Sequence, residues 1–377
     1  MAGWRVNGSK RLWRAGKRMP GCRGVVSGYL FKIFRQSIGL TQVELAEKLG
    51  MDVATVQGWE SGRRPLMALR AGDLSRMSIQ LAALGVPPAL FAVLHQAIDA
   101  DLILCDGIEA GGRVIPAEDH PLAAGVHRRE LTTLITWPFT GVAPGQLAQL
   151  PPPRRGPTSD RPLLGADERR RFFDHLLVIA DAYRKPEHGL MRRQAIYLLG
   201  FDDRTPSAEW LVAERRHAMG SMRRWETVSQ WAAVRSSAVS LARNGEPDAL
   251  RAFIGSGLLT ERQNLANLNY WSYWVGELSD VAADDDFMLR TEPRCWSGAR
   301  LFDHLVNSLR PDSEQADMNI HTLWSLVAAR PGVIDRRPAA LARVRQRIEQ
   351  TATDPNLTPR ARQELIKTEK AVRSAHR

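Results

Sequence analysis

Basic side chains are concentrated near the N-terminus, where they could bind a polyanion. Residues 1–66 contain 12 lysines and arginines but only 4 acids, which accounts for +8 of the formal net charge of +11. The other 311 residues are therefore nearly neutral. A basic module attached to a neutral body is typical of chains that bind nucleic acid with one part and carry a second function in the other.

Within this basic region, residues 41–64 predict two short helices joined by a tight turn. Thr41 can cap the first helix, and Glu44 completes a capping box three residues later. Gly50 provides the left-handed conformation that ends this helix. Asp52 is predicted to cap the second helix. The outer face of that second helix is left free to enter a major groove.

The second helix is predicted to bury Val56 and Trp59 on its inner face. Ala46 is small enough for the two helices to cross closely. The residues that make up the pattern are Gly39, Leu40, Thr41, Gln42, Glu44, Leu45, Ala46, Leu49, Gly50, Val56, Trp59, Glu60 and Gly62. The pattern resembles the helix-turn-helix of the phage-repressor and Cro type, the XRE family, over about residues 25–105. The resemblance implies a five-helix domain that binds double-stranded DNA.

The resemblance also implies roles for individual positions. Gln42, at the start of the first helix, is similar to an amide that binds a DNA phosphate and sets the docking register. The start and outer face of the second helix are expected to be exposed, and two arginines after it are well placed for phosphates. The predicted DNA-binding residues are Thr41, Gln42, Asp52, Val53, Ala54, Thr55, Gln57, Gly58, Arg63 and Arg64.

The outer face of the second helix departs from the better understood members of the family. Val53, Ala54 and Gly58 stand where those members often carry long amides. Valine and alanine can contact thymine methyl groups, but they cannot read a purine edge with paired hydrogen bonds. Thr55 and Gln57 are therefore the polar residues that we expect to read bases.

Arg35 and Glu60 align with an ion pair that ties the first helix of such domains to the recognition helix. Breaking a buried pair usually costs several kcal/mol. We therefore predict that Arg35 has a structural role and does not read bases.

Residues 1–24 contain no acid and carry two tryptophans among their basic residues. They are predicted to form a disordered arm. Such an arm could wrap the DNA backbone or enter a minor groove, but it could equally be idle, or precede the true start of translation.

The rest of the chain is predicted to be helical, so the fold class is all-α. Residues 106–139 form a helical connector, and residues 140–165 contain six prolines and predict a stiffened linker. Residues 166–377 read as a domain of stacked helix pairs, solenoid-like and similar to tetratricopeptide repeats in arrangement, although no clean signature of that repeat recurs.

One aromatic stretch in this helical half is a candidate ligand pocket. The sequence ANLNYWSYWVGEL spans residues 266–278. Aromatic side chains with a few amides and one carboxylate can hold a small organic molecule or a peptide side chain. The alternative is an aromatic core seam, which is the commoner use of such a face. The candidate pocket residues are Asn267, Tyr270, Trp271, Trp274 and Glu277.

The remaining residues of chemical interest predict neither a catalytic centre nor a metal site. The three cysteines are far apart and suggest no disulfide framework and no zinc site. His120 and His127 lie near several acids but lack the spacing of a compact ligand pair. The run Asp284, Asp285 and Asp286 reads as a solvated loop. No nucleophile elbow or phosphate-binding loop occurs, so we expect no enzyme and no cofactor.

These observations favour a DNA-binding transcriptional regulator whose helical half dimerises or senses a small-molecule or peptide effector. Arginine outnumbers lysine 45 to 7, which indicates a GC-rich genome and hints at a bacterial source. The absence of a long apolar run predicts a cytoplasmic, nucleoid-associated protein without membrane contact. The alternatives are a protein-interaction scaffold localised by DNA and an unrecognised enzyme that uses Glu277.

Overall fold

The computed structural model describes residues 23–125, 127–150, 159, 161–221, 227–278, 284–290, 296–335 and 341–374. These residues form α helices, short 3-10 turns and loops, and contain no strand, which confirms the all-α class. The helices are α1 (Val25–Ser37), α2 (Gln42–Leu49), α3 (Val53–Glu60), α4 (Ala71–Ala83), α5 (Leu90–Glu109), α6 (Arg129–Thr140), α7 (Ala166–Ala182), α8 (Gly189–Leu199), α9 (Thr205–Ser221), α10 (Val228–Arg243), α11 (Pro247–Gly257), α12 (Glu261–Trp274), α13 (Ala299–Ser308), α14 (Ala316–Ala329), α15 (Gly332–Asp335), α16 (Leu341–Ala352) and α17 (Pro359–Ser374).

The first five helices form the predicted N-terminal domain, in which α1 packs against both α3 and α5. The contact between α1 and α3 is a close backbone approach at Gly28. A Cβ atom at this position would lie 2.3 Å from the carbonyl oxygen of Trp59. Only glycine therefore allows the end of α3 to rest on α1 at this distance.

A carboxylate from α5 holds the start of α1. Asp101 is fully buried and accepts hydrogen bonds from the backbone nitrogens of Val26 and Ser27, both at 2.9 Å, and from the hydroxyl of Ser27 at 2.5 Å. The first amides of a helix have no partner within the helix, so this distant side chain satisfies two of them. The contact fixes α1 against the last helix of the domain.

The later helices pack mainly on their neighbours along the chain. The pairs α7 with α8, α10 with α11, α13 with α14 and α16 with α17 are all in contact. This pairing loosely supports the predicted solenoid-like arrangement. Buried apolar residues form two clusters, one extending from α1 to α12 and the other mainly from α13 to α17.

The sequence predicts a domain boundary within residues 140–165, yet the first apolar cluster contains side chains from both sides of it. Leu134 and Trp137 precede this segment, Phe172 and Phe173 follow it, and all four belong to the same cluster. Residues 151–158 and 160 of this segment, and almost all of the N-terminal arm, lie outside the described residues.

One expectation about the cysteines is wrong. Cys105 takes part in a disulfide bond, although the sequence spacing suggested none. The other cysteine of this bond lies outside the described residues. The spacing of the cysteines along the chain gave no sign of this bond.

In the parts of the chain that the structure describes, no helix combines the length and the apolar character needed to cross a bilayer.

The close approach at Gly28 predicts that Gly28→Ala lowers the free energy of unfolding by roughly 1–3 kcal/mol, because the added methyl group forces α3 away from α1. Gly72→Ala is the matched control, since Gly72 lies in α4 with open space around its Cα. In Gly72→Ala we expect the free energy of unfolding to rise by about 0.5–1 kcal/mol, because alanine has the higher helix propensity. Urea unfolding followed by circular dichroism measures the free energy of unfolding of both variants. Equal changes in Gly28→Ala and Gly72→Ala would contradict the close packing of α3 on α1.

Candidate nucleic-acid interface

A buried ion pair joins α1 to α3. Nε and Nη2 of Arg35 donate to the two carboxylate oxygens of Glu60 at 2.5 and 3.0 Å, and neither side chain is more than one tenth exposed. Nη1 of Arg35 also donates to the carbonyl oxygen of Leu40, at 2.7 Å, in the loop before α2. The predicted ion pair is confirmed, and Nε, Nη1 and Nη2 of this arginine all donate within the domain.

Gln42 binds the same carboxylate. Its amide nitrogen donates to Oε2 of Glu60 at 2.6 Å, so one carboxylate receives hydrogen bonds from α1 and α2. The sequence predicts a phosphate contact for this amide. Because the amide nitrogen carries two hydrogens, one remains for a phosphate while the other is held by Glu60. The role of Gln42 in docking stays a prediction.

The start of α2 has the predicted capping box. The backbone nitrogen of Glu44 donates to the hydroxyl of Thr41 at 3.2 Å, and the carboxylate of Glu44 accepts from the backbone nitrogen of Thr41 at 2.7 Å. These hydrogen bonds lower the pKa of Glu44. Gly50 ends the helix with a left-handed φ of 66°, also as predicted.

Helix α3 is oriented as the sequence predicts. Val56 is inaccessible to solvent and Trp59 is 4% exposed, with its ring edge-on to Phe31 at 5.5 Å between centroids. On the opposite side, Ala54 and Gln57 are exposed. The helix thus has a buried underside and an exposed side that carries Ala54 and Gln57.

Two expectations for α3 are wrong. Asp52 occupies the N-cap position, but its side chain makes no capping hydrogen bond, and only its backbone oxygen accepts from Thr55 at 2.9 Å. Its carboxylate is left exposed to solvent. Gly58 is buried and does not lie on an exposed surface, because the chain turns back after α3 and the side chain of Arg64 covers it.

The returning Arg64 lies over the outer face of α3. Its backbone nitrogen donates to the carbonyl oxygen of Gly58 at 2.9 Å, and a Cβ at Gly58 would lie 2.9 Å from its Cδ. Its Nη1 donates to the hydroxyl of Thr55 at 2.6 Å. Thr55 is half-buried, and the residue that covers it, Arg64, is exposed to solvent.

A cleft of about 620 Å³ lies beside α3 and contains more basic residues than the sequence predicts. Helix α1 contributes Lys32 to it, and the chain before α7 contributes Arg161. Burial, reinforced by Arg35 and opposed by Glu60, lowers the pKa of Lys32. The other basic residues of the lining are Arg23, Arg35 and Arg63. Sequence reasoning missed Arg161, because it is nearly 100 residues away from the motif.

The candidate ligand pocket on α12 is mostly packed core. Tyr270 and Trp274 line a cavity of only about 10 Å³, which is room for roughly one water molecule. Asn267 lies elsewhere, fully buried, and donates to Thr322 at 2.9 Å. Trp271 packs near His304, with 5.4 Å between ring centroids. The pocket residues therefore do not all face one cavity, and a ligand role for them stays a prediction.

Glu277 caps another helix. Its carboxylate accepts hydrogen bonds from the backbone nitrogens of Ser297, Gly298, Arg300 and Leu301, at 2.6–3.2 Å, and from the hydroxyl of Ser297 at 2.8 Å. Burial alone would raise its pKa, but these bonds hold the pKa below its usual value. Its oxygens are occupied at the start of α13.

A buried arginine lies next to the α12 aromatics. Arg235 is 3% exposed, and its guanidinium lies 4.0 Å from the centre of the Tyr270 ring and 5.2 Å from that of Trp271. Its Nε donates to Asn267 at 3.3 Å, but its Nη2 has no hydrogen-bond partner among the described residues. Burial lowers its pKa, as do the charges of Arg243 and Arg193.

The histidines form other groups than the sequence suggests. Nε2 of His127 lies 3.2 Å from Oδ1 of Asp285. The carboxylate of Asp285 also accepts hydrogen bonds from both terminal nitrogens of Arg193, each at 2.6 Å. Asp285 is 2% exposed, so the expectation of a solvated loop is wrong for it. His120 lies instead beside Asp106 and His175.

Comparison with known families assigns the N-terminal segment. Residues 31–91 match the family model described as helix-turn-helix. The resemblance to the XRE type is confirmed for this segment, and it supports DNA binding and transcription regulation at the level of the family. Comparison with curated proteins and with solved structures gave no match.

The shared carboxylate predicts that Glu60→Gln destabilises the domain locally, by about 3 kcal/mol, because it leaves the buried guanidinium of Arg35 without its counter-charge. Amide hydrogen exchange of α1 and α3 measures this loss region by region. Glu47→Gln is the control, since Glu47 is an exposed acid of α2. If the amide hydrogens of α1 and α3 exchange at the same rates in both variants, the ion pair does not hold these helices together.

Proposed function

We propose that this protein is a sequence-specific transcriptional regulator that binds double-stranded DNA with α3. The observation that carries the proposal is the orientation of α3, whose underside is buried at Val56 and Trp59 while Gln57 and Ala54 face outward. A short helix presented in this way fits the major groove.

The charges around α3 support the same proposal. Exposed Arg63 and Arg64 follow the helix directly, and Lys32 and Arg161 lie in the adjoining cleft. Guanidinium and ammonium groups at the sides of a reading helix bind phosphates and position the helix on the duplex. In this proposal Gln57 reads a base, and Arg64 reaches the duplex from its position over Thr55.

Two copies are proposed to bind one operator. Regulators with a single short reading helix gain affinity and specificity by binding as dimers to two half-sites, whose centres lie roughly 34 Å apart. The helical part of the chain would hold the dimer together. The protein would act in the cytoplasm, associated with the nucleoid.

The helical part is further proposed to sense a ligand, and Arg235 supports this. A buried cation with an unpartnered nitrogen is costly unless an anion approaches it. Its neighbours Tyr270 and Trp271 offer flat apolar faces. A small anionic molecule with a planar part would have to open the packed core here, because the cavity beside Tyr270 holds roughly one water molecule. In this proposal that opening alters the affinity for DNA.

Two other functions compete with this proposal. A scaffold would co-purify with a fixed protein partner and keep the same DNA affinity in the presence of small molecules. An enzyme that used Glu277 would lose turnover in Glu277→Gln. The capping contacts of Glu277 favour a structural role, and we propose that the protein has no catalytic activity of its own.

The geometry of α3 predicts that Gln57→Ala relaxes sequence preference at one or two base pairs, with a loss of about 1–3 kcal/mol of discrimination. The operator is first obtained by sequencing genomic DNA that co-precipitates with the protein, and single-base variants are then compared in gel shifts. Gln80→Ala, which removes an exposed amide from α4, is the control. Unchanged preference in Gln57→Ala would refute base reading by this residue.

Arg63→Gln is expected to weaken binding to all sequences equally and to reduce the slope of log affinity against log salt concentration by roughly 0.9, because one phosphate contact is lost. Arg170→Gln removes the same charge from α7, where Arg170 pairs with the exposed carboxylate of Asp167. It is expected to leave the slope unchanged. Equal slopes for both variants would show that Arg63 lies away from the DNA.

A further inference from the structure

Three side chains with metal-binding atoms meet between α5 and α7. They are Asp106 of α5, His120 of the following loop and His175 of α7, and one ligand atom of each lies within 4.8 Å of the others. Both histidines are almost inaccessible to solvent, and Asp106 is half-buried. Two imidazoles and one carboxylate are the ligand types that zinc and related ions take in proteins.

The distance between the imidazoles fits a shared metal ion. The Nε2 atoms of His120 and His175 lie 3.4 Å apart. The two rings are nearly parallel, with an angle of 11° between their planes. Two Zn–N bonds of about 2.0–2.1 Å at a tetrahedral angle place the nitrogens roughly 3.3–3.4 Å apart. A well-formed hydrogen bond from nitrogen is shorter, at about 2.7–3.2 Å.

The three side chains lie where water has little access. Burial lowers the pKa of both His120 and His175 to about 4. Burial raises the pKa of Asp106, while His175 and Arg113 lower it. Nδ1 of His175 has no hydrogen-bond partner among the described residues, so the ring makes few polar contacts within the protein.

We propose that Asp106, His120 and His175 bind a divalent transition-metal ion, zinc by the tetrahedral spacing, with a fourth position open to water. Cys105 is not a ligand, since its sulfur is in a disulfide bond. The site is independent of the proposed DNA interface, because none of its ligands belongs to α1, α2 or α3.

Metal binding changes one contact of the loop that carries His120. Without metal, the backbone nitrogen of Leu122 donates to Nδ1 of His120 at 3.1 Å, so the single proton of the neutral ring is on Nε2. Coordination through Nε2 shifts that proton to Nδ1, which then faces the Leu122 N–H. The Leu122 amide must therefore turn away when the ion binds.

The ion would connect the N-terminal domain to the helical part. Helices α5 and α7 are already in contact, and a Cβ at Gly107, the residue after Asp106, would lie 2.6 Å from Cδ2 of Phe172. Three bonds to one ion would link both helices and the intervening loop. Binding to the folded state alone would raise Tm by roughly 5 °C or more at saturating metal.

The test uses the full chain without an affinity tag, stripped with a chelator and then dialysed free of it. Zinc chloride is titrated by calorimetry, and cobalt chloride by visible absorption. We expect one ion per chain, tetrahedral d–d bands with cobalt, and a loss of at least about 10-fold in affinity in His120→Gln and His175→Gln. His95→Gln, which removes an exposed histidine from α5, should bind like the original protein.

Several results would overturn the proposal. One is that zinc binds no more tightly than millimolar. Another is that His120→Gln, His175→Gln and His95→Gln bind zinc with equal affinity. A third is an intense near-ultraviolet thiolate band with cobalt, which would assign the ion to cysteines.

If the histidine variants do not fold, the decision rests on Asp106→Asn and on the exchange rate of the Leu122 amide in the original protein. We expect zinc to accelerate that exchange, and an unchanged rate together with unchanged affinity in Asp106→Asn would refute the site. None of these measurements involves DNA.

Discussion

The N-terminal domain depends on one buried carboxylate. Glu60 stands at the end of α3 and receives hydrogen bonds from Arg35 of α1 and Gln42 of α2, and Arg35 in turn binds the loop between those helices. Three consecutive helices are thus held by a single group. Because charged hydrogen bonds in a dry site are strongly directional, this arrangement fixes the angle at which α3 leaves the domain. The exposed face of α3 is useful only because that angle is fixed.

The same physical device recurs elsewhere in the chain. Asp101 of α5 satisfies the first amides of α1, Glu277 satisfies those of α13, and Asp317 of α14 accepts from the backbone nitrogen of Thr358 at the start of α17 at 3.1 Å. In each case the carboxylate comes from another part of the chain. Negative charge at a helix start is favourable, and placing it on a neighbouring helix also fixes how the two helices pack.

The sequence predicted those features that depend on near neighbours in the chain. The capping box of Thr41 and Glu44 spans three residues, and the burial of Val56 and Trp59 follows from helical periodicity. The Arg35 and Glu60 pair could be predicted only because a family resemblance supplied it. These elements define the fold class and the face of α3 that is free.

Features created where the chain turns back on itself, or where distant parts of it meet, could not be predicted. Gly58 reads as exposed from helical spacing, and only the returning Arg64 buries it. Asp285 lies in an acidic run, yet Arg193 and His127 meet it in the core. His120 and His175 are 55 residues apart, and no local pattern connects them. The family match covers residues 31–91, so it gives no information on His120, His175 or Asp285.

The cover that Arg64 places over Gly58 couples substitutions at neighbouring positions of α3. Any larger residue at position 58 must displace an arginine whose guanidinium also holds Thr55. A single substitution at position 58 would therefore disturb the contact at Thr55 as well, whereas the exposed Ala54 and Gln57 are not part of this contact.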